Sequence, residues 1–473
     1  MTIRGNGFLK CLLSLRLLSA SALGLITLTL GAVSLFGGKL FPNPLRSTDA
    51  TGVLGTYSTA GGIDVNNPFF QNLGTNGRTC NTCHISSSAW GITPADVQAK
   101  FEATQGTDPI FRTNDGSNCP SADVSTISAR RQAYSQLLSK ALIRVSVSVP
   151  ADAEFQIIGI QDPYNCLETT ASSPALYRRP LPAANLKFLS TIMWDGRETV
   201  FGAIPKKSID LVQSLTNQAT HATLGHAQGA TSPTPEQLSQ IVAFETALFT
   251  AEDNDHGAGD LSASGAAGGP VNLAQQSFFV GTNDSLGGDP SGASFNPEVF
   301  TLYRSWANSA SPYRQSVARG EDLFNTLPIP IMGVGGLNDA LGQQVIMGTC
   351  TTCHDTPNAG DHSFSVPLAI GTTAYPAMSA LDISGLPVYT VQCIATGATV
   401  RVTDLGRALI SGKCADVGKV KGPVLRGLAA RAPYFHNGAA ATLGDAVEFY
   451  DQRFNLSLSP QQKADLVAFL QTL

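Results

Sequence analysis

Two short stretches place two cysteines and a histidine at one fixed spacing: Cys80-Asn81-Thr82-Cys83-His84 and Cys350-Thr351-Thr352-Cys353-His354. Thiols two residues apart reach one edge of a porphyrin and add to its vinyl groups. The histidine next in line then falls under the metal, so C-x-x-C-H is the attachment signature of c-type haem. With 9 Cys and 7 His in 473 residues, only about 0.003 chance matches are expected. Zinc would want four ligands in two close pairs, and each stretch offers one cluster. A thioredoxin-like dithiol would sit in a βαβ pattern, which is absent. The residues therefore predict two covalent haems, with His84 and His354 as proximal iron ligands.

The elements that must position these motifs are predicted to be helices joined by long loops, since Gly (46) and Pro (27) are plentiful. Thr93-Pro94-Ala95-Asp96 opens a helix, with Thr93 as cap and Pro94 at the first helical position. Asp108 to Pro120 is turn-rich, Ile127 to Leu142 reads as one helix, and Ile143 to Pro150 alternates like a strand of a β-hairpin insertion. Thr48 to Asn76 reads as an irregular lead-in. Thr234-Pro235-Glu236-Gln237 is a capping box opening an amphipathic helix to about Phe249. Gly257 to Phe295 has no helical period and reads as a loop of some forty residues. Tyr313 to Phe324 is the helix expected before a haem motif, Leu327 to Gly348 is an insertion, and Ser459-Pro460-Gln461-Gln462 opens a closing amphipathic helix. The fold class predicted is mainly α: two cytochrome c-like haem domains, 48–310 and 311–473, with loop-rich insertions and a short β-hairpin.

Charged residues are 14% of the chain and the net charge is −5, which leaves no basic footprint for nucleic acid. Residues 1–38 carry Arg4, Lys10 and Arg16 ahead of an uncharged run from Leu17 to Gly38. This has the form of a secretory signal with Ala32-Val33-Ser34 as cleavage site, and the run is also long enough to be a retained membrane anchor. Either way the body is exported, and a periplasmic location is expected. Cys11 lies in this segment. Cys119 with Cys166, and Cys393 with Cys414, are plausible disulfides for an oxidising compartment, although sequence does not fix connectivity.

Three islands make the chain resemble the bacterial di-haem cytochrome c peroxidase and MauG family: the paired haem motifs, Met193-Trp194-Asp195-Gly196-Arg197, and Gly422 to Leu443 with its Ala432-Pro433-Tyr434-Phe435-His436 core. The resemblance implies two cytochrome c folds with Trp194 between the haems as an electron relay. It implies calcium held by Asn185, nine residues before Trp194, and by the backbone carbonyls of Arg431 and Pro433. It further implies that the haem at His84 reacts with peroxide and that Gln218, His221 and His226 are the polar distal candidates, the family's later glutamate being absent from that stretch. Position 450, fourteen residues after His436, is tyrosine where peroxidases of the family carry methionine. Tyr450 is then the second ligand of the C-terminal haem, favouring ferric and higher-valent iron. His436 is expected to be structural.

The resemblance implies hydrogen peroxide as oxidant, O2 being the alternative, and a partner that is a small electron-donor protein (a cytochrome c or a cupredoxin), a protein substrate or a small molecule. A dioxygenase similar to the rubber-cleaving di-haem enzymes and a pure electron-transfer cytochrome are the competing readings. The segments 90–180 and 257–295 carry no readable motif, and their length points to shaping access to the first haem or a partner surface.

Overall fold

Helices begin where the sequence supplies caps. In the computed structural model, which describes residues 40–202 and 208–473, Thr93, Thr234 and Ser459 each accept from the backbone N–H three residues on, and Pro94, Pro235 and Pro460 occupy the first turn. Proline there loses only an N–H that has no helical partner anyway. The run 1–38, read as signal or anchor, lies outside the described residues. Among the described residues no helix is long and apolar enough to cross a membrane.

Around the second motif, helix Pro312–Thr326 packs against helix Pro460–Gln471, and helix Leu443–Phe454 packs on the latter. Their apolar faces form a core containing Val317, Phe324, Phe469 and Leu466, with Trp306 and Tyr303 stacked beside it. Around the first motif, helices Leu211–Gly225 and Pro235–Thr246 pack together. A single 3-10 turn, Pro68–Phe70, stands there in place of a long preceding helix.

Strand content exceeds one hairpin: helix accounts for 29% and strand for 17%, so sheets do part of the joining. The lead-in 48–76 contains strand Gly52–Ser58, which pairs antiparallel with Leu248–Asp255; the helix ending at Thr246 thus runs directly into a strand that takes Phe249. Ile143–Ser146 pairs with Ala175–Arg178 and not with an adjacent hairpin arm. Phe155–Gln161 joins Val388–Cys393, so sheet pairing runs across position 310. Residues 40–473 form one contact unit. The helix expected over 127–142 is two, Ile127–Ala133 and Ser135–Lys140, broken at Tyr134, which is buried against Phe111. Cys119–Cys166 and Cys393–Cys414 are both disulfides.

The loop 257–295 lies on the second motif. Ser285 Oγ donates to Thr352 O (2.7 Å) and Asn283 Nδ2 to Asp355 O (3.1 Å). The segment 90–180 is the one at the first motif, where Arg78 donates to Pro109 O and Ile110 O. The two insertions therefore divide between the motifs.

Candidate haem sites

Each C-x-x-C-H stretch folds as the same 3-10 turn. Thr79 with Thr82, and Thr349 with Thr352, close a capping box around Cys80–Thr82 and Cys350–Thr352. The histidine that follows is anchored six residues on: His84 Nδ1 donates to Trp90 O (3.0 Å) and His354 Nδ1 to Gly360 O (2.7 Å). A carbonyl partner fixes the proton on Nδ1 and leaves Nε2 as the lone-pair nitrogen. A phenylalanine tilts at 53° against each ring, Phe69 at 6.3 Å and Phe324 at 5.8 Å. Burial holds both imidazoles below their ordinary titration range, which keeps them neutral and able to ligate. Cys80, Cys83, Cys350 and Cys353 are free thiols.

Each motif opens into a cavity. The one at Cys350, Cys353 and His354 has a volume of about 230 Å³ and is walled in part by Ile329, Ile331, Leu466, Leu470 and Tyr450. The one at Cys80, Cys83 and His84 offers about 190 Å³. Paired free thiols, a neutral histidine with Nε2 available and an adjoining apolar slot fit c-type haem in both places. Burial, with Cys353 and Cys350 adding to it, pushes the Tyr450 phenol well above its ordinary value. A phenolate there would need a cation beside it.

Trp194 lines both cavities. It is 8% exposed, its Nε1 donates to Arg179 O (2.8 Å), and its ring meets His436 edge-on at 6.1 Å. The backbone turns sharply to place it, with Met193 (φ 68°) and Gly196 (φ 75°) in the left-handed region on either side. Asp195, next in line, is fully buried and accepts from Arg178 Nη1 (2.5 Å) and Arg197 Nη1 (2.9 Å). Arg178 reaches on to Asp404 at 2.7 Å. Burial works against both carboxyls, yet Arg178 outweighs it and holds them below the usual carboxylate range. His436 is buried with both ring nitrogens lacking a hydrogen-bond partner, and burial pulls it down to about 4. Asp404 stands 3.7 Å from its Nε2, too far to offset that.

The distal candidates separate. Gln218 and His226 line the first cavity. His221 lies off it, with a side chain 64% exposed and Nδ1 at 3.0 Å from Glu198. His226 Nδ1 is 2.5 Å from Asp115, which is buried and paired with Arg78 (2.6 Å). Burial raises the Asp115 carboxyl, but His226 and Arg78 together hold it low. An ionised partner at Nδ1 leaves Nε2 as the nitrogen free for chemistry.

The calcium donors are engaged within the protein. Asn185 pairs both ways with Thr250, Nδ2 to O at 2.8 Å and Oδ1 from N at 2.9 Å. The Arg431 carbonyl accepts from Arg179 Nη2 (3.0 Å), and Pro433 lines the second cavity. A guanidinium already stands at Arg431 O, so these residues do not fit a calcium ion there and no step below uses one. Among the described residues no group of three or more His, Cys, Asp or Glu side chains could hold a metal.

The sequence reading missed Asp115, Arg178, Arg179, Asp404 and Glu245, which lines the first cavity. Only Glu245 had a legible signal. The stretch 234–248 repeats 459–473, with Pro235/Pro460, Gln237/Gln462, Val242/Val467, Ala243/Ala468, Phe244/Phe469 and Leu248/Leu473 identical.

With this geometry in view, the chain compares with known proteins as follows. No family model matches it. It is 36% identical over 141 residues to cytochrome-c peroxidase IdrP2 of Denitromonas iodatirespirans, 27% of this chain and 36% of that one. It is 31% identical over 125 residues to cytochrome c551 peroxidase of Nitrosomonas europaea, 26% and 30% of the two chains. This chain is similar to bacterial cytochrome-c peroxidases. The similarity spans about a third of the length of those relatives. Among solved structures, a MauG-like protein associated with microbial copper homeostasis matches with a TM-score of 0.38 and 16% identity over 86% of each chain.

Proposed function

We propose that this protein is an exported di-haem c-type oxidoreductase that takes hydrogen peroxide at the haem held by Cys80, Cys83 and His84. Cys350, Cys353 and His354 would hold a second haem, with Tyr450 as a further ligand, and Trp194 would relay oxidising equivalents between the two sites. The observation that carries this reading is Trp194 standing in the wall of both cavities. Similarity to cytochrome-c peroxidases supports the oxidant, and the haem motifs with two disulfides support export to the periplasm.

Bound haem supplies the redox-active iron; the chain's own residues handle protons and orientation. His84, tied to Trp90 O, presents Nε2 to the first cavity. His226, held at Nδ1 by Asp115, presents Nε2 to the same space and can carry a proton between the two oxygens of a peroxide. Gln218 adds a neutral amide donor to the cavity. Trp194 is kept in one orientation by the Arg179 carbonyl. A one-electron donor protein, a cytochrome c or a cupredoxin, would supply the reducing equivalents. The two cytochrome c-like regions act as one body because their motifs share this wall.

Stopped-flow mixing of the purified holoprotein with peroxide tests the reading. Rapid spectral change at the first haem is expected, slowed at least tenfold in His226→Gln, with Trp194→Phe reacting as fast but failing to oxidise the second haem. A first haem inert to peroxide would overturn it and leave an electron-transfer cytochrome.

A further inference from the structure

The repeated helices 235–246 and 460–471 differ at the position that faces the cavity. Leu470 lines the second cavity, and Glu245, at the matching place eleven residues past the cap, lines the first. Glu245 is 6% exposed and its Oε2 has no hydrogen-bond partner. An ionised carboxylate in such surroundings is costly, so the group sits between its two protonation states.

Charged neighbours do not relieve it. On its own helix Glu236 is at the opposite end, held to Gln240. The packed turn Pro68–Phe70 is uncharged, Lys187 of the turn Leu186–Phe188 reaches away to Gln276 O, and His221 of helix Leu211–Gly225 is turned to Glu198. Across the cavity, Arg78 and His226 are both held by Asp115, and Arg178 and Arg197 by Asp195. Arg179 donates to the Lys140 and Arg431 carbonyls. Burial alone pushes Glu245 up to about 8, and the Cys80 sulfur is close enough to be raised by it in turn.

We propose that Glu245 is the proton acceptor coupled to reduction of the haem at Cys80, Cys83 and His84. As that haem gains one electron from an external one-electron donor, Glu245 gains one proton from solvent, and the cavity's net charge is unchanged. Reduction removes a positive charge beside the carboxylate, and that loss makes protonation favourable. The second lobe has Leu470 in this place and so lacks a carboxyl there. The inference rests on haem attachment at the first motif, as in the reading above.

Spectroelectrochemical titration of the holoprotein from pH 6 to 10, with mediators as donor, is the test. In the wild type the first haem's reduction equilibrium should weaken up to tenfold per pH unit, about 59 mV for one electron. Glu245→Gln, which keeps the volume, and Glu245→Leu, which copies the second lobe, should flatten the first haem's slope. Redox-difference infrared spectroscopy on the wild type needs no variant to fold: a protonated carboxyl band should grow on reduction and be missing in Glu245→Gln. A flat wild-type slope, a slope retained in Glu245→Gln, or no carboxyl band overturns the proposal. Peroxide reactivity is read separately, so a first haem inert to peroxide but showing the slope would overturn the peroxidase reading and leave this one standing.

Discussion

Around Cys80–His84 and around Cys350–His354 the chain builds the same local device and then surrounds it differently. The capped 3-10 turn, the Nδ1 anchor six residues on, the tilted phenylalanine and the box-capped closing helix recur at both. What differs is the wall. The second cavity carries Leu470 and the phenol of Tyr450 with Lys421, His362 and His436, the first Gln218, His226 and Glu245. One scaffold thus yields two pockets whose polar groups come from different elements, with a buried carboxyl on the box-capped helix of the first and a leucine at that place in the second. Attachment chemistry is local and repeats, whereas reactivity is set by side chains brought in from elsewhere.

The largest effect that could break the comparison is on cofactor content. Cys80→Ser with Cys83→Ser, and separately Cys350→Ser with Cys353→Ser, should each lower covalent haem from two per chain to one by the pyridine haemochrome assay. A wild type holding one haem would end the parallel. Next comes Arg178, which ties Asp195 beside Trp194 to Asp404. Arg178→Ala leaves buried Asp404 without its guanidinium and Asp195 with Arg197 alone, and should cost about 3–5 kcal/mol in denaturant unfolding. The exposed pair Arg131–Glu102 should cost under about 1 kcal/mol.

A pH dependence follows from His436. Its folded-state value, about 4, lies below the unfolded value of about 6.5, so between these the unfolded chain binds the extra proton. Stability is then fully present above about pH 6.5 and declines as pH falls toward 4, by about 3 kcal/mol in all. Unfolding midpoints across that window should show the decline, and His436→Gln should remove it. A decline that persists would assign it to other groups. The smallest effect sharpens the likeness. Thr234→Ala and Ser459→Ala open the same capping box on the two closing helices and should each cost about 1 kcal/mol. A marked inequality would show that the helices, though alike in sequence, carry different loads.

Much of the local structure was legible because it depends on neighbours in the chain. Thr93, Thr234 and Ser459 cap the helices expected of them, and the two disulfides join the cysteines named as plausible pairs, a connectivity the sequence left open. The strand at Ile143–Ser146 was legible from its alternation, but Gly52–Ser58 and Phe155–Gln161 were not, since they take their partners about two hundred residues away. The same separation hid Asp115, whose loop carries no motif until His226 is folded against it. His221 and His226 look equal as letters, and only the packing of helix Leu211–Gly225 turns one to solvent and the other to the cavity.

The sequence by itself determined the two C-x-x-C-H motifs, because thiol spacing and the adjacent histidine are properties of five consecutive residues. It also determined the closing helices and their repeat. Only the tertiary structure decided that Trp194 stands in the wall of both cavities, that Arg179 occupies the Arg431 carbonyl, and that Glu245, with its Oε2 unpartnered, lines the first cavity where Leu470 lines the second. Those outcomes depend on which surfaces meet across long chain separations, and on the loss of solvent that burial imposes when they do.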